Sequence, residues 1–103
     1  METYPEWFTH LREKHQKLMM AVDAVGKAAH ESGPLDEKTA QLIQLAAAIA
    51  IRSEGAVRSH AKRAKLAGAE IDEIEHAAIL LTSTIGFPNV AAALSWIQEV
   101  VNE

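Results

Sequence analysis

The sequence predicts an all-α protein, and three features carry that expectation. Apolar residues recur three or four positions apart through most of the chain, and no segment alternates apolar with polar residues as a half-buried strand would. Hydrophobic residues make up 49% of the chain but aromatic ones only 5%, so a core has to be built from Ala, Val, Ile and Leu, which suits helices meeting at short distances. Gly and Pro punctuate a few joints, which cuts the chain into about five helical segments.

The first helix is expected to start near Pro5, which suits a first helical turn, and to carry Trp7, Leu11, Leu18, Val22 and Val25 as far as about Ala29. Glu31-Ser32-Gly33-Pro34 ends it, because Gly tolerates a C-terminal cap and Pro cannot continue the hydrogen-bond ladder. Asp36 is placed to cap a second helix with Glu37 near its positive end. The run Leu42, Ile43, Leu45, Ala46, Ile49, Ala50 is apolar nearly all round, so this helix belongs in the middle of a domain or of an oligomer. Ser53 is expected to cap a third helix through its hydroxyl, with Glu54 just inside, and Gly68 to end that helix after Ala67. Glu70, Asp72, Glu73 and Glu75 crowd the start of a fourth, which continues through His76, Ile79, Leu80 and Leu81. Gly86-Phe87-Pro88 breaks it and starts a fifth, with Val90, Leu94, Ile97 and Val101 along one face.

A chain of 103 residues has the size of one domain, and a lone subunit of that size buries a modest fraction of its surface, so self-association would add useful burial. The absence of cysteine excludes disulfides, thiolate metal sites and thiol nucleophiles. The N-terminal stretch is charged and amphipathic rather than a basic start followed by an apolar run, and the nearly uncharged segment from Thr39 to Ile51 is too short to span a bilayer. A cytoplasmic location with no membrane partner is therefore expected.

The net charge of −4 is unevenly spread. Residues 52–68 carry Arg52, Arg58, Lys62, Arg63 and Lys65 against Glu54 alone, while residues 69–103 hold six acids and no Lys or Arg. The chain is acidic overall and has no aromatics interleaved with its basic residues for stacking on bases. The basic segment is thus read as a solvated face that attracts the acidic C-terminal third of its own or a neighbouring subunit, and not as a nucleic-acid contact.

Chemistry concentrates in the stretch SEGAVRSH, Ser53 to His60. Positions 53, 56 and 60 are three and four residues apart, so Ser53, Ala56 and His60 line one side of the start of the third helix. A helix N-terminus offers unpaired backbone N–H groups and a positive potential, and His60 can take or give a proton near neutral pH. Arg58 is a candidate to hold an anionic substrate. Ser53 could act as a nucleophile only with an activating base, and nothing local supplies one. His10 and His15 are five apart, which is not the spacing of two metal ligands on a helix, and His76 is placed to pair with Asp72 or Glu73. Met19-Met20 is read as core or subunit contact. Neither a metal nor a cofactor is expected.

Leu35-Asp36-Glu37-Lys38-Thr39-Ala40-Gln41-Leu42-Ile43, the apolar run after it, SEGAVRSH, the basic helix, Ala67-Gly68-Ala69 and Ile85-Gly86-Phe87-Pro88 together resemble the carboxymuconolactone decarboxylase and alkylhydroperoxidase D family. The resemblance spans residues 35 to 101. The family signature is a glutamate, eleven residues, then Cys-x-x-Cys-x-x-x-His, in which the cysteines reduce peroxide while histidine and glutamate relay protons. Laid on this chain, the glutamate falls at Gln41, the cysteines at Ser53 and Ala56, and the histidine at His60, the one member kept. Thiol peroxidase chemistry needs an attacking thiolate and a resolving thiol, so it is excluded here. The resemblance implies an alkylhydroperoxidase D-like helical fold and a closed homo-oligomer, commonly a trimer or hexamer. It leaves room for decarboxylation of a small anionic substrate with His60 as acid or base. The alternative is a non-catalytic ligand-binding or structural oligomer of the same fold.

Overall fold

The computed structural model describes residues 4–102, which form seven helices and no strand. They divide into two compact units, the first ending at Leu35 and the second beginning at Asp36, in the loop that Gly33 and Pro34 mark.

The first unit holds α1 (Glu6–Lys14) and α2 (Gln16–His30), where the periodicity predicted one unbroken helix. The break lies at His15, whose φ of −121° and ψ of 58° leave the helical region. Its consequence is visible in the pairing of Arg12 with Asp23. Eleven residues of straight helix would separate those two by roughly 16 Å, so the pair forms because the chain turns between them. The apolar stripe should have had a member between Leu11 and Leu18, but Lys14 and His15 stand there. Met19 is buried, whereas its neighbour Met20 and the stripe residues Leu18, Val22 and Val25 are exposed.

The second unit is a four-helix core of α3 (Glu37–Ala50), α4 (Glu54–Leu66), α5 (Ile71–Ile79) and α7 (Phe87–Val101), with the short α6 (Thr82–Ile85) leading into α7. Its packing runs in a ring, α3 beside α4, α4 beside α7, α7 beside α5, and α5 beside α3. Leu45, Ile49, Val57, Ile74, Ile97 and Val101 fill the centre, while Ala61, Ala64, Ala78 and Ala93 let the backbones approach. That is the Ala, Ile, Leu and Val core the composition called for. Burial drives it, at roughly 1.5–3 kcal/mol for each fully buried large aliphatic side chain.

Local chemistry sets the helix ends. Asp36 caps α3 as expected, accepting from the Thr39 N–H at 2.8 Å. Glu70 and Glu73 close a reciprocal capping box on α5, and Gly86, at φ 90° and ψ 150°, makes the bend into α7 that a side chain would oppose. The predicted fourth helix stops at Ile79, because Leu81 N–H bonds the Ala78 carbonyl at the tighter i to i+3 spacing and Thr82 Oγ1 donates to the Ile79 carbonyl at 2.7 Å. No helix is long and apolar enough to cross a membrane among the described residues.

Candidate functional site

α3 and α4 are joined by a tight turn, and its geometry fixes where SEGAVRSH begins. The Arg52 N–H bonds the Ile49 carbonyl at 3.0 Å and the Ser53 N–H reaches back to the Ala48 carbonyl at 2.9 Å, which is a Schellman motif with Arg52 in the left-handed position at φ 56°. Arg52 also donates to the Asn89 side-chain oxygen. Ser53 therefore belongs to two helices at once, ending α3 through its N–H and starting α4 through its carbonyl, which accepts from Val57 N–H at 2.9 Å. Its hydroxyl makes no capping hydrogen bond, contrary to the expectation from sequence. The reason is in the backbone: ψ is 89° at Ser53 but 167° at Asp36, and only the second aims a side chain at the N–H groups of the first turn.

The tight turn brings the second turn of α3 against the middle of α4. There the His60 Nδ1 lies 2.8 Å from Gln41 Oε1, so the family's glutamate and histidine positions meet. Gln41 is buried, at 3% exposure, and its amide is used on both sides, since Nε2 donates to Glu37 Oε1 at 2.8 Å. A carboxylate accepts and never donates when ionised, so Glu37 takes the NH2 end of the amide and leaves the carbonyl oxygen for His60. That oxygen can only accept. His60 Nδ1 must therefore carry a proton, and the neutral ring has its lone pair on Nε2.

Ala56, half-buried on the same side of α4, packs against the hydrophobic core. Arg58 is elsewhere. Two residues from His60 on a helix is about 200° of rotation, and the side chains diverge accordingly, His60 toward α3 and Arg58 toward α7. The Arg58 guanidinium meets Glu99 at 2.7 Å and Glu54 at 3.1 Å. Desolvation opposes its charge, but the bonds to Glu99 and Glu54 outweigh that and hold its pKa above the ordinary value. The expected pairing of Arg58 with His60 around an anion is thus not what the fold brings together; Arg58 instead joins the basic helix to the acidic C-terminal third.

Two further features lie outside this pair. A groove of about 360 Å³ runs between α3 and α5, lined by Leu42, Ile43, Ala46, Ala77, Leu80 and Leu81, with Thr39, Glu73 and His76 at its margin. Its α3 residues sit on the flank opposite Gln41. Glu73, one of the two acids the spacing offered to His76, is engaged instead by Lys38 at 3.1 Å and by the Glu70 N–H at 2.9 Å. Those two contacts, the Glu70 N–H first and then Lys38, hold the Glu73 pKa below its ordinary value. Sequence reasoning passed over Glu37 as part of the site and gave it only a place near the helix terminus. Its position four residues before Gln41 was the available signal.

The model of the carboxymuconolactone decarboxylase family matches residues 16–99. A Haemophilus influenzae protein described as an uncharacterized protein is 42% identical over 57 residues, which cover 55% of this chain and 50% of that protein. The chain thus spans about half the length of the curated relative it matches. No solved structure matches.

Proposed function

Because this chain belongs to the carboxymuconolactone decarboxylase family, we propose that it is a thiol-free member using His60 for acid–base chemistry on a small carboxylated or lactone substrate. The absence of cysteine removes thiol-dependent peroxide reduction from what this chain can do, and the retained histidine supports proton transfer. The observation that carries the proposal is the bond from His60 Nδ1 to an amide oxygen fixed on its other side. Nδ1 donates that bond in both the neutral and the protonated ring, so Nε2 can gain or lose a proton without the imidazole turning over. In a decarboxylation, breaking the bond to the departing CO2 leaves its electron pair on the adjacent carbon as an enolate. His60 would deliver the Nε2 proton to that carbon and be left neutral. Arg58 is held in the scaffold by Nε and Nη2, which donate to Glu99 and Glu54, and it lies about 200° around α4 from His60, so it is not assigned a part in the proton transfer.

Turnover of 4-carboxymuconolactone and related carboxylated lactones, followed as CO2 release, tests this. The parent should act on at least one, and His60→Ala should lower kcat by roughly 10²–10⁴. A parent inert across the panel would overturn the enzymatic reading.

A second reading, a ligand-binding or structural oligomer of the same fold, is favoured by a different observation. The α3–α5 groove is apolar and open, with Ile43 and Leu80 more than half exposed. We propose that a second copy of this chain covers it. Within the first unit, α2 also has an exposed apolar stripe of Leu18, Val22 and Val25. Assembly and catalysis are compatible, and the two experiments separate them.

A further inference from the structure

We infer that Glu37 is a positioning residue for His60, setting through the Gln41 amide which imidazole nitrogen carries the proton. The chemical use of that choice rests on the acid–base role of His60 proposed above, but the choice itself does not. The Gln41 amide is a switch with two settings, since either its oxygen or its NH2 can face the ring. With the oxygen toward His60, Nδ1 is the donor and Nε2 holds the lone pair. With the NH2 toward His60, Nδ1 must accept and the neutral ring is protonated on Nε2 instead.

Gln41 is buried between α3 and α4, and the 2.8 Å bond from its Nε2 to the Glu37 carboxylate selects the setting. Glu37 stands one turn earlier on the same helix, at the first position of α3, where i to i+4 spacing brings the two side chains together. A charged acceptor on one end of the amide excludes the reversed orientation, which would bring the amide oxygen against the carboxylate. The bias passes along three side chains, carboxylate to amide NH2 and amide oxygen to imidazole N–H. Gln41 occupies the position where the family has its glutamate, so here the negative charge sits one helical turn further back and acts through a neutral spacer. The same geometry argues against Glu at position 41 while Glu37 is present, because two carboxylates would then face each other across that contact.

Nitrogen-detected imidazole NMR at a pH where the ring is neutral reads the tautomer of His60 directly, with no substrate. The parent should show Nδ1–H as the dominant form. Glu37→Gln can offer Gln41 either end of its own amide, so it should weaken that preference without inverting it. Glu37→Ala should lower the ratio of Nδ1–H to Nε2–H by roughly tenfold, the bias of a charge-assisted hydrogen bond. Glu37→Lys, a donor in place of an acceptor, should attract the amide oxygen and invert the ratio. Gln41→Glu should lower thermal stability, and Glu37→Gln combined with Gln41→Glu should recover it. Glu37 lies at an exposed first-turn position, and the backbone amide spectrum verifies that each variant folds. An unchanged tautomer ratio in both Glu37→Ala and Glu37→Lys overturns the positioning role whatever the turnover assay shows. A tautomer that responds while the lactone panel stays inert upholds Glu37 and overturns the decarboxylase reading.

Discussion

Arg52 and Gly68 occupy the same position in two copies of one turn. After α4, the Gly68 N–H bonds the Lys65 carbonyl at 3.0 Å and the Ala69 N–H bonds the Ala64 carbonyl at 2.9 Å, repeating the motif that ends α3. Both residues have positive φ, 100° at Gly68 and 56° at Arg52. A Cβ in that region costs about 1–2 kcal/mol, so Gly68→Ala should destabilise by that amount in urea unfolding. Arg52→Gly should lose nothing or gain up to about 1 kcal/mol, because the relief of strain offsets the exposed hydrogen bond to Asn89. A loss above that from Arg52→Gly would show that the Asn89 contact dominates the turn. The glycine at the second turn made it readable from sequence, whereas an arginine gives no such sign. The same holds at the site. The meeting of His60 with Gln41 was legible from the family register, but Ser53 as a cap was not excluded until its backbone proved to be committed to the Schellman turn.

The N-termini of α3 and α5 are tied by a shared device. Asp36 accepts from Thr39, Glu73 accepts from the Glu70 N–H, and Lys38 bridges from α3 to Glu73. Hydrogen bonds from Thr39, its side chain first and then its backbone, hold the Asp36 pKa below 3.8, and Glu73 is likewise held below 4.5. Carboxylates with pKa values lowered in the folded state add stability above their unfolded values and lose it as pH falls through the folded ones. Thermal midpoints should therefore drop on acidification below pH 4.5, the ordinary Glu value, with Glu73→Gln and Asp36→Asn each flattening the slope. Asn keeps the cap while removing the titration, so Asp36→Asn separates charge from capping. A slope unchanged in both variants would assign acid sensitivity to other groups. Acid-rich helix starts were plain in the sequence, as were the ends at Gly33 and Gly86. The breaks at His15 and after Ile79 were not, since neither has Gly or Pro at the joint and the second rests on tightened backbone bonds. Periodicity reports which face is apolar and continues across a bend that preserves the face.

At the scale of the molecule the unresolved demand is apolar surface. The predicted core of small aliphatic residues is present, yet the second helix was expected to be covered nearly all round, and in the single chain it is not. Ile43 is 51% exposed and Leu80 is 62% exposed, on facing sides of one groove, and Ile51 and Phe87 are exposed as well. Isolated apolar residues at a surface are ordinary, but Ile43 and Leu80 share one groove, which supports the proposal that a second copy covers it. Burial at ~25 cal/mol per Å² favours covering it, and a second copy is always available at the concentration of the protein itself. Size-exclusion chromatography with light scattering should give a mass that is a multiple of 11.2 kDa, with a closed trimer or hexamer as the expected state. Leu80→Glu places a charge in the groove without touching the His60–Gln41–Glu37 chain, so it should shift the mass toward the monomer while circular dichroism stays helical. Retention of the parent mass by Leu80→Glu would move the interface elsewhere, and a parent that stays monomeric at high concentration would leave the groove open to a ligand instead. The same variant should leave the His60 tautomer as it was, because groove and histidine lie on opposite flanks of α3, and a changed tautomer would show that the two surfaces are coupled.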